Sequence, residues 1–253
     1  MPDLTGFDWM ISKVIKQRME RTAEYSCTRL ERPSWDFSCG ESKHQMKFSQ
    51  YDEEPFLLEY FKDISSGFFI DIGANNGWKG SNTRALFLRG WSGLCVEADP
   101  FTFRHLAETY KGEKHIQCVH SAIWDRIGSI EFYSQKTTDS GLSSVNPDYK
   151  TGPDTRIVHV LCETLDLLLT RTNNHEKNID FLTVDAEGCD FGIIQSYSFQ
   201  RKPGLVMVEY ASMDEIRAGA WKTPLEAFDT LMAEHGYKRI WTSVGNAAYS
   251  TET

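Results

Sequence analysis

The run Phe68-Phe69-Ile70-Asp71-Ile72-Gly73-Ala74-Asn75-Asn76-Gly77 sets the architecture of this chain. Its first half is continuously apolar except for one acid and ends at a glycine, the pattern of a parallel strand buried on both faces. The second half is small and polar, a turn whose glycines let the backbone bend sharply and approach a neighbour closely. The dinucleotide fingerprint G-x-G-x-x-G is missing, because Asn75 stands two positions after Gly73.

Working outward, strand and helix patterns alternate. SNTRALFLRG (81–90) reads as a helix, GLCVEAD (93–99) as a strand, FTFRHLAETY (101–110) as a helix and HIQCVHSAIWD (115–125) as a third strand. The alternation then pauses. SIEFYSQ and RIVHVLCETL read as added antiparallel strands around a polar loop, 134–156, with a short helix at Leu165 to Leu169. It resumes with IDFLTVD, a helix around FGIIQSY and the strand GLVMVEY. TPLEAFDTLMAEHG predicts a helix with Thr223 as N-cap, Pro224 at N1 and Glu226 in the capping box. A hairpin at Gly245-Asn246 joins YKRIWTSV to AAYST. Repeated βα units imply a mostly parallel sheet with helices on both faces. The terminal hairpin predicts a Rossmann-like α/β sheet of seven strands whose last strand enters antiparallel.

Upstream, EEPFLLEYFKDI (53–64) predicts a helix with Pro55 in its first turn. Residues 7–20 place Phe7, Met10, Ile11, Val14 and Ile15 on one helical face, opposite basic residues. The expected division is an N-terminal helical extension, 1–45, followed by a catalytic domain, 46–253.

Composition narrows the function. The chain has 253 residues, 40% hydrophobic and 25% charged, enough for a sizeable core. No apolar run reaches the roughly 18 to 20 residues of a membrane span. No basic segment leads into an apolar one at the N-terminus, so the expectation is a soluble cytoplasmic protein. A net charge of −9 lacks the basic footprint of a nucleic-acid enzyme. The six cysteines (27, 39, 95, 118, 162 and 189) form no C-x-x-C pair, and Cys95, Cys118 and Cys162 sit in strand-like runs as small hydrophobes.

Four strand ends carry the chemistry. In open α/β sheets ligands bind beyond the carboxyl ends of the strands. Asp71, Gly73 and Gly77 have the acidic-x-Gly-x-x-x-Gly spacing of S-adenosylmethionine sites, although an ordinary strand-to-helix turn would use the same glycines. Glu97, closing the next strand, can accept hydrogen bonds from ribose hydroxyls, with Asp99 as its rival. Asp185-Ala186-Glu187-Gly188 closes a third strand and Glu209 a fourth. Such acids could hold a general base, coordinate a divalent cation such as Mg²⁺ through Asp185, Glu187 and Glu209, or anchor the turn. The histidines show no metal-ligand spacing.

KFSQYDEEPFLLEYF, GFFIDIGANNG, SNTRALFLRGWSGLCVEADP, IDFLTVDAEGCDFGII and LVMVEY together resemble the FkbM-type methyltransferases, over residues 46–211. The resemblance implies a class I methyltransferase fold, S-adenosylmethionine as donor and O-methylation of a sugar or glycan hydroxyl. A hydroxyl of a macrolide-type product is the alternative. It implies that Asp71, Gly73, Asn75, Gly77 and Glu97 contact the cofactor, that Ser121 and Ala122 lie beside its adenine, and that Asp185 and Glu187 are active-site acids. Ser81, Asn82 and Thr83 would hold the loop or meet the acceptor.

Asp185 or Glu187 is the expected general base, with His159 as an outside candidate. The acceptor pocket is expected from the helix starting at Phe7, the 134–156 loop and Trp78, which could stack on a sugar or simply pack the loop. The N-terminal helix could instead form a homo-oligomer contact. Two other classes stand beside this reading. An NAD-dependent oxidoreductase would share the βαβ start but wants the missing glycine fingerprint. An inactive binding domain would not need the acids at the strand ends.

Overall fold

Strand β1 (Phe68–Ile72) is buried at all five positions and lies at the middle of the sheet, as its apolar run requires. The computed structural model describes residues 47–135, 143–145, 155–211 and 222–251. The helix expected at 7–20 and most of the 134–156 loop lie outside the described residues.

Around β1 stand β2 (Ser92–Glu97), β3 (Ile116–His120), β7 (Phe181–Val184), β8 (Leu205–Glu209), β9 (Lys238–Thr242) and β10 (Asn246–Ser250). Their order is β3-β2-β1-β7-β8-β10-β9. The pairs β1–β2, β2–β3, β1–β7 and β7–β8 are parallel, while β10 runs antiparallel to both β8 and β9. This is the expected seven-stranded sheet with an antiparallel last strand. The strand order reverses between β1 and β7, so that crevice is where a ligand is expected.

Alternating side chains feed two cores. Ile70, Leu94, Leu182 and Val206 face one way, onto helices α4 (Leu165–Arg171), α5 (Asp190–Ser196) and α6 (Leu225–Glu234). Phe69, Cys95, Phe181 and Met207 face the other, onto α1 (Glu53–Tyr60), α2 (Arg84–Leu88) and α3 (Pro100–Thr109). The buried cysteines Cys95 and Cys162 sit in apolar clusters, as read from their strands.

Three local expectations change. The third strand ends early: β3 stops at His120, and Ala122–Ile123 forms β4 in a separate three-stranded sheet, β4-β6-β5, with β5 at Gly128–Gln135 and β6 at Thr155–Glu163. Ser121 is the joint, its N–H donating to the Glu97 carbonyl and its hydroxyl to Leu161 of β6. Helix α6 starts at Leu225 with Pro224, not Thr223, as N-cap, and no side chain caps it. The Thr223 carbonyl instead accepts from Ala211 N–H, which holds this stretch extended. The final hairpin turns on Ser243–Gly245, since Asn246 already pairs with Glu209 in β10.

Candidate active site

The cleft at the carboxyl ends of β1, β2 and β7 is lined by Asp71, Gly73, Asn75, Glu97, Ser121, Ala122, Asp185 and Glu187, together with Ser81 and Asn82. Counted to its open mouth, the solvent there included, it takes in about 1060 Å³. Ten of the residues singled out in the sequence therefore converge on one space.

The β1 turn is held from three sides. Gly73 and Ala74 donate to the Val96 carbonyl, both at 3.0 Å, and Asp185 N–H donates to Ile72. Gly73 has φ +83°, and a Cβ there would overlap the Asp185 carbonyl oxygen. Its freedom serves the close approach of the β7 turn, a different neighbour from the ligand contact read in the sequence. Asp71 is buried and accepts from Thr83 Oγ1 at 2.6 Å, which ties the start of α2 to the strand. Burial pushes its carboxyl up to about 6 against the lowering effect of that hydrogen bond.

Glu97 is a double clamp. Its two carboxylate oxygens accept from Asn75 N–H at 2.9 Å and Asp99 N–H at 2.7 Å. Burial outweighs these bonds and raises it to about 7. The rival Asp99 also lines the cleft, but it is committed as N-cap of α3, accepting from Phe101 and Thr102, with its other oxygen taken by Ser143. Asn75, at φ +50°, has a buried Oδ1 without a hydrogen-bond partner.

At the β7 end, Asp185 and Glu187 meet Glu209 and two residues that the sequence reading did not single out, Asp190 and Lys222. Asp190, at the first turn of α5, accepts from the backbone N–H groups of Ala186 and Gly188 at 2.9 and 3.0 Å and so shapes the acidic turn. The acid two residues after Gly188 was its available signal. Lys222 had none, being brought in only by the fold. Its ammonium hydrogen-bonds Glu209 and lies 3.7 Å from Glu187. Burial works to lower the Lys222 pKa, but Glu209 and Glu187 outweigh it, and the ammonium stays charged.

One ammonium cannot balance four neighbouring carboxylates, so protons remain in the cluster. Burial, then Glu209, raises Glu187 to about 8 and holds Asp185 well above the usual carboxylate range. Burial also raises Asp190 to about 7. Among the described residues, the acids close enough to share one ion are Asp185, Asp190 and Glu209, their oxygens within 4.8 Å of one another. That differs from the expected trio: Glu187 turns aside toward Lys222, which supplies the positive charge between Glu187 and Glu209.

Other expected residues sit elsewhere. A Cβ on Gly77 would reach Tyr110 and Leu106 within 2.6 and 2.9 Å, so this glycine answers to packing against α3 and does not line the cleft. Trp78, 41% exposed, lies edge-on to Phe48 and 4.5 Å from the Arg84 guanidinium, also away from the cleft lining. His159 is exposed on β6, opposite Glu131 and outside the cleft. Ser143 and Val145, from the polar loop, do reach the lining, and Ser144 Oγ donates to the Glu187 carbonyl at 2.9 Å.

No curated protein matches the chain in sequence. Solved structures similar to it include a TehB-like SAM-dependent methyltransferase from Corynebacterium glutamicum (9% identity, covering 95% of this chain and 98% of that one, TM-score 0.42). Fibrillarin from Aeropyrum pernix with bound S-adenosyl-L-methionine (9%, 73% and 66%, 0.42) and the human methyltransferase 10 domain containing protein (12%, 79% and 83%, 0.41) are similar at the same level. The family profile of the methyltransferase FkbM domain matches residues 71–239, from the acid of β1 to the start of β9. With two thirds of its length under that profile and the strand-end acids in one cleft, the chain belongs to the FkbM methyltransferase family.

Proposed function

We propose that this methyltransferase uses S-adenosylmethionine to methylate a hydroxyl oxygen of a sugar or glycan. The observation that carries this reading is one cleft joining Glu97 at the β2 end to the buried acids Asp185 and Glu187 at the β7 end. The residues present fit the cofactor. Glu97 keeps lone pairs free on both oxygens for ribose hydroxyls, and the orphaned Asn75 Oδ1 offers an acceptor to a donor group. Ser121 and Ala122 form the wall beyond β3, suited to the adenine.

When bound, the cofactor supplies an electrophilic methyl group on a cationic sulfur. The chain's contribution is alignment and proton handling. Alignment alone can supply roughly 7 to 11 kcal/mol in favourable cases. Glu187 receives the acceptor's hydroxyl proton. Raised to about 8, it is near the pKa at which a base is effective at neutral pH. Lys222 favours the ionised carboxylate of Glu187 before it takes the proton, and Asp190 fixes the turn that aims the base. Because Lys222 occupies the space between Glu187 and Glu209, these two acids need no divalent cation to coexist.

The test is transfer of a radiolabelled methyl group to a panel of sugars, macrolides, carboxylic acids and amines. An alkali-stable ether on a sugar supports the reading. Transfer only to macrolide hydroxyls would keep the base and change the acceptor. An alkali-labile ester or an N-methyl product would overturn O-methylation.

A further inference from the structure

Beside the cleft lies a second pocket, of about 820 Å³ counted to its mouth, lined chiefly by Lys47, Gln50, Tyr51, Trp241, Thr242 and Val244. Gln50 lines both spaces, so the two are neighbours that share a wall residue. Since β9 runs parallel to β8, its Thr242 end lies at the same carboxyl edge of the sheet as the acids of β7 and β8.

The pocket is built. Its two walls come from residues nearly 200 positions apart, and the fully buried Glu53 fastens them. One Glu53 oxygen accepts from Tyr51 N–H at 2.7 Å. The other accepts from Ser243 Oγ at 2.8 Å and Asn246 Nδ2 at 3.0 Å. Trp241 is braced by stacking on Phe56, with centroids 4.6 Å apart and planes at 10°. Holding the walls in place before a ligand arrives lowers the ordering cost of binding.

We infer that this pocket is a second sugar subsite, so that the acceptor is a di- or oligosaccharide whose neighbouring unit rests between Tyr51 and Trp241. The inference rests on the sugar-acceptor reading above. Two aromatic side chains with an amide and a hydroxyl suit a hexose, which presents apolar C–H patches and hydroxyls together. Lys47 and Asp52 pair at 3.2 Å, leaving the rim electrically balanced, which favours a neutral sugar over an anionic one.

The experiment compares methyl-transfer kinetics on the methyl glycosides of glucose, galactose and mannose with those on their disaccharides and trisaccharides. Wild type is expected to favour a disaccharide by at least tenfold in kcat/KM, carried by KM. Trp241→Ala and Tyr51→Ala should each raise KM for the disaccharide five- to fiftyfold and leave the monosaccharide rate unchanged. Val244→Trp, which fills the pocket from an exposed position, should do the same without touching the core. S-adenosylhomocysteine binding and the melting temperature serve as controls for folding. Equal use of monosaccharide and disaccharide by wild type, or a preference that survives all three variants, overturns the subsite while sugar methylation stands. Methylation of no sugar at all overturns both.

Discussion

Replacing Glu187 with glutamine removes the proposed base while keeping its shape. Burial and the neighbouring Glu209 raise this carboxyl to about 8. A base with that value is ionised in about one molecule in eleven at pH 7 and about ten in eleven at pH 9. The wild-type rate at saturating S-adenosylmethionine should therefore rise about tenfold over that interval and level off above it. Glu187→Gln should lose the limb entirely, with turnover down about 10²- to 10⁴-fold, the usual contribution of a general base. Cofactor affinity should change little, because the proposed cofactor contacts are Glu97 and Asn75, at the ends of β2 and β1. Initial rates between pH 6 and 9.5 on both proteins give the answer. A wild-type profile flat from pH 7 to 9, or a glutamine variant keeping more than a tenth of the turnover, would refute the assignment. Asp185 would then be the next base to test, through Asp185→Asn.

The same carboxyl makes a stability prediction. Folding holds a proton on Glu187 that the unfolded chain releases near 4.5, so stability should fall as pH rises from about 4.5 to about 8. A shift of that size corresponds to about 5 kcal/mol at most. Urea denaturation across this range should show the slope in wild type and a shallower one in Glu187→Gln. Glu97→Gln should weaken S-adenosylmethionine binding about 10- to 100-fold, as expected for loss of charged hydrogen bonds. Because burial raises Glu97 to about 7, wild-type affinity should strengthen as pH rises through that value and the variant should not, by calorimetry. Gly73→Ala drives a Cβ into the Asp185 carbonyl and should cost more than about 3 kcal/mol together with cofactor binding. Gly90→Ala, at φ +92° in open space and outside the cleft lining, should cost only about 1 to 2 kcal/mol in thermal melts and spare the cofactor.

The centre of the sheet was legible because β1, β2, β7 and β8 are apolar and end at a glycine or an acid. The β1 run appears as read, and the alternation and terminal hairpin appear with shifted boundaries. Boundaries failed where tertiary partners intervened. The third strand breaks at Ser121 because Ala122 and Ile123 pair with β6 in a second sheet, and Thr223 gives its carbonyl to Ala211 instead of capping a helix.

The gathering of the strand-end residues in one cleft was legible, since one sheet edge collects them. It was not legible for Gly77 and Trp78, whose proximity in sequence to the β1 turn says nothing of which way the loop faces. Lys222 was invisible, since a lysine outside any pattern acquires meaning only from the carboxylates beside it. Glu53 was read as a helix residue, and only the fold shows it joining the chain near residue 51 to the last turn.

Thermal unfolding with S-adenosylmethionine, with S-adenosylhomocysteine and with NAD shows whether the cleft is built for the sulfur cofactor. A ligand at 100 times its dissociation constant adds about 2.7 kcal/mol, a shift of roughly 5 to 10 °C for a chain of this size. That shift is expected with the two sulfur compounds, and its collapse in Glu97→Gln. A shift with NAD alone, or none with either sulfur compound, would contradict this cofactor assignment.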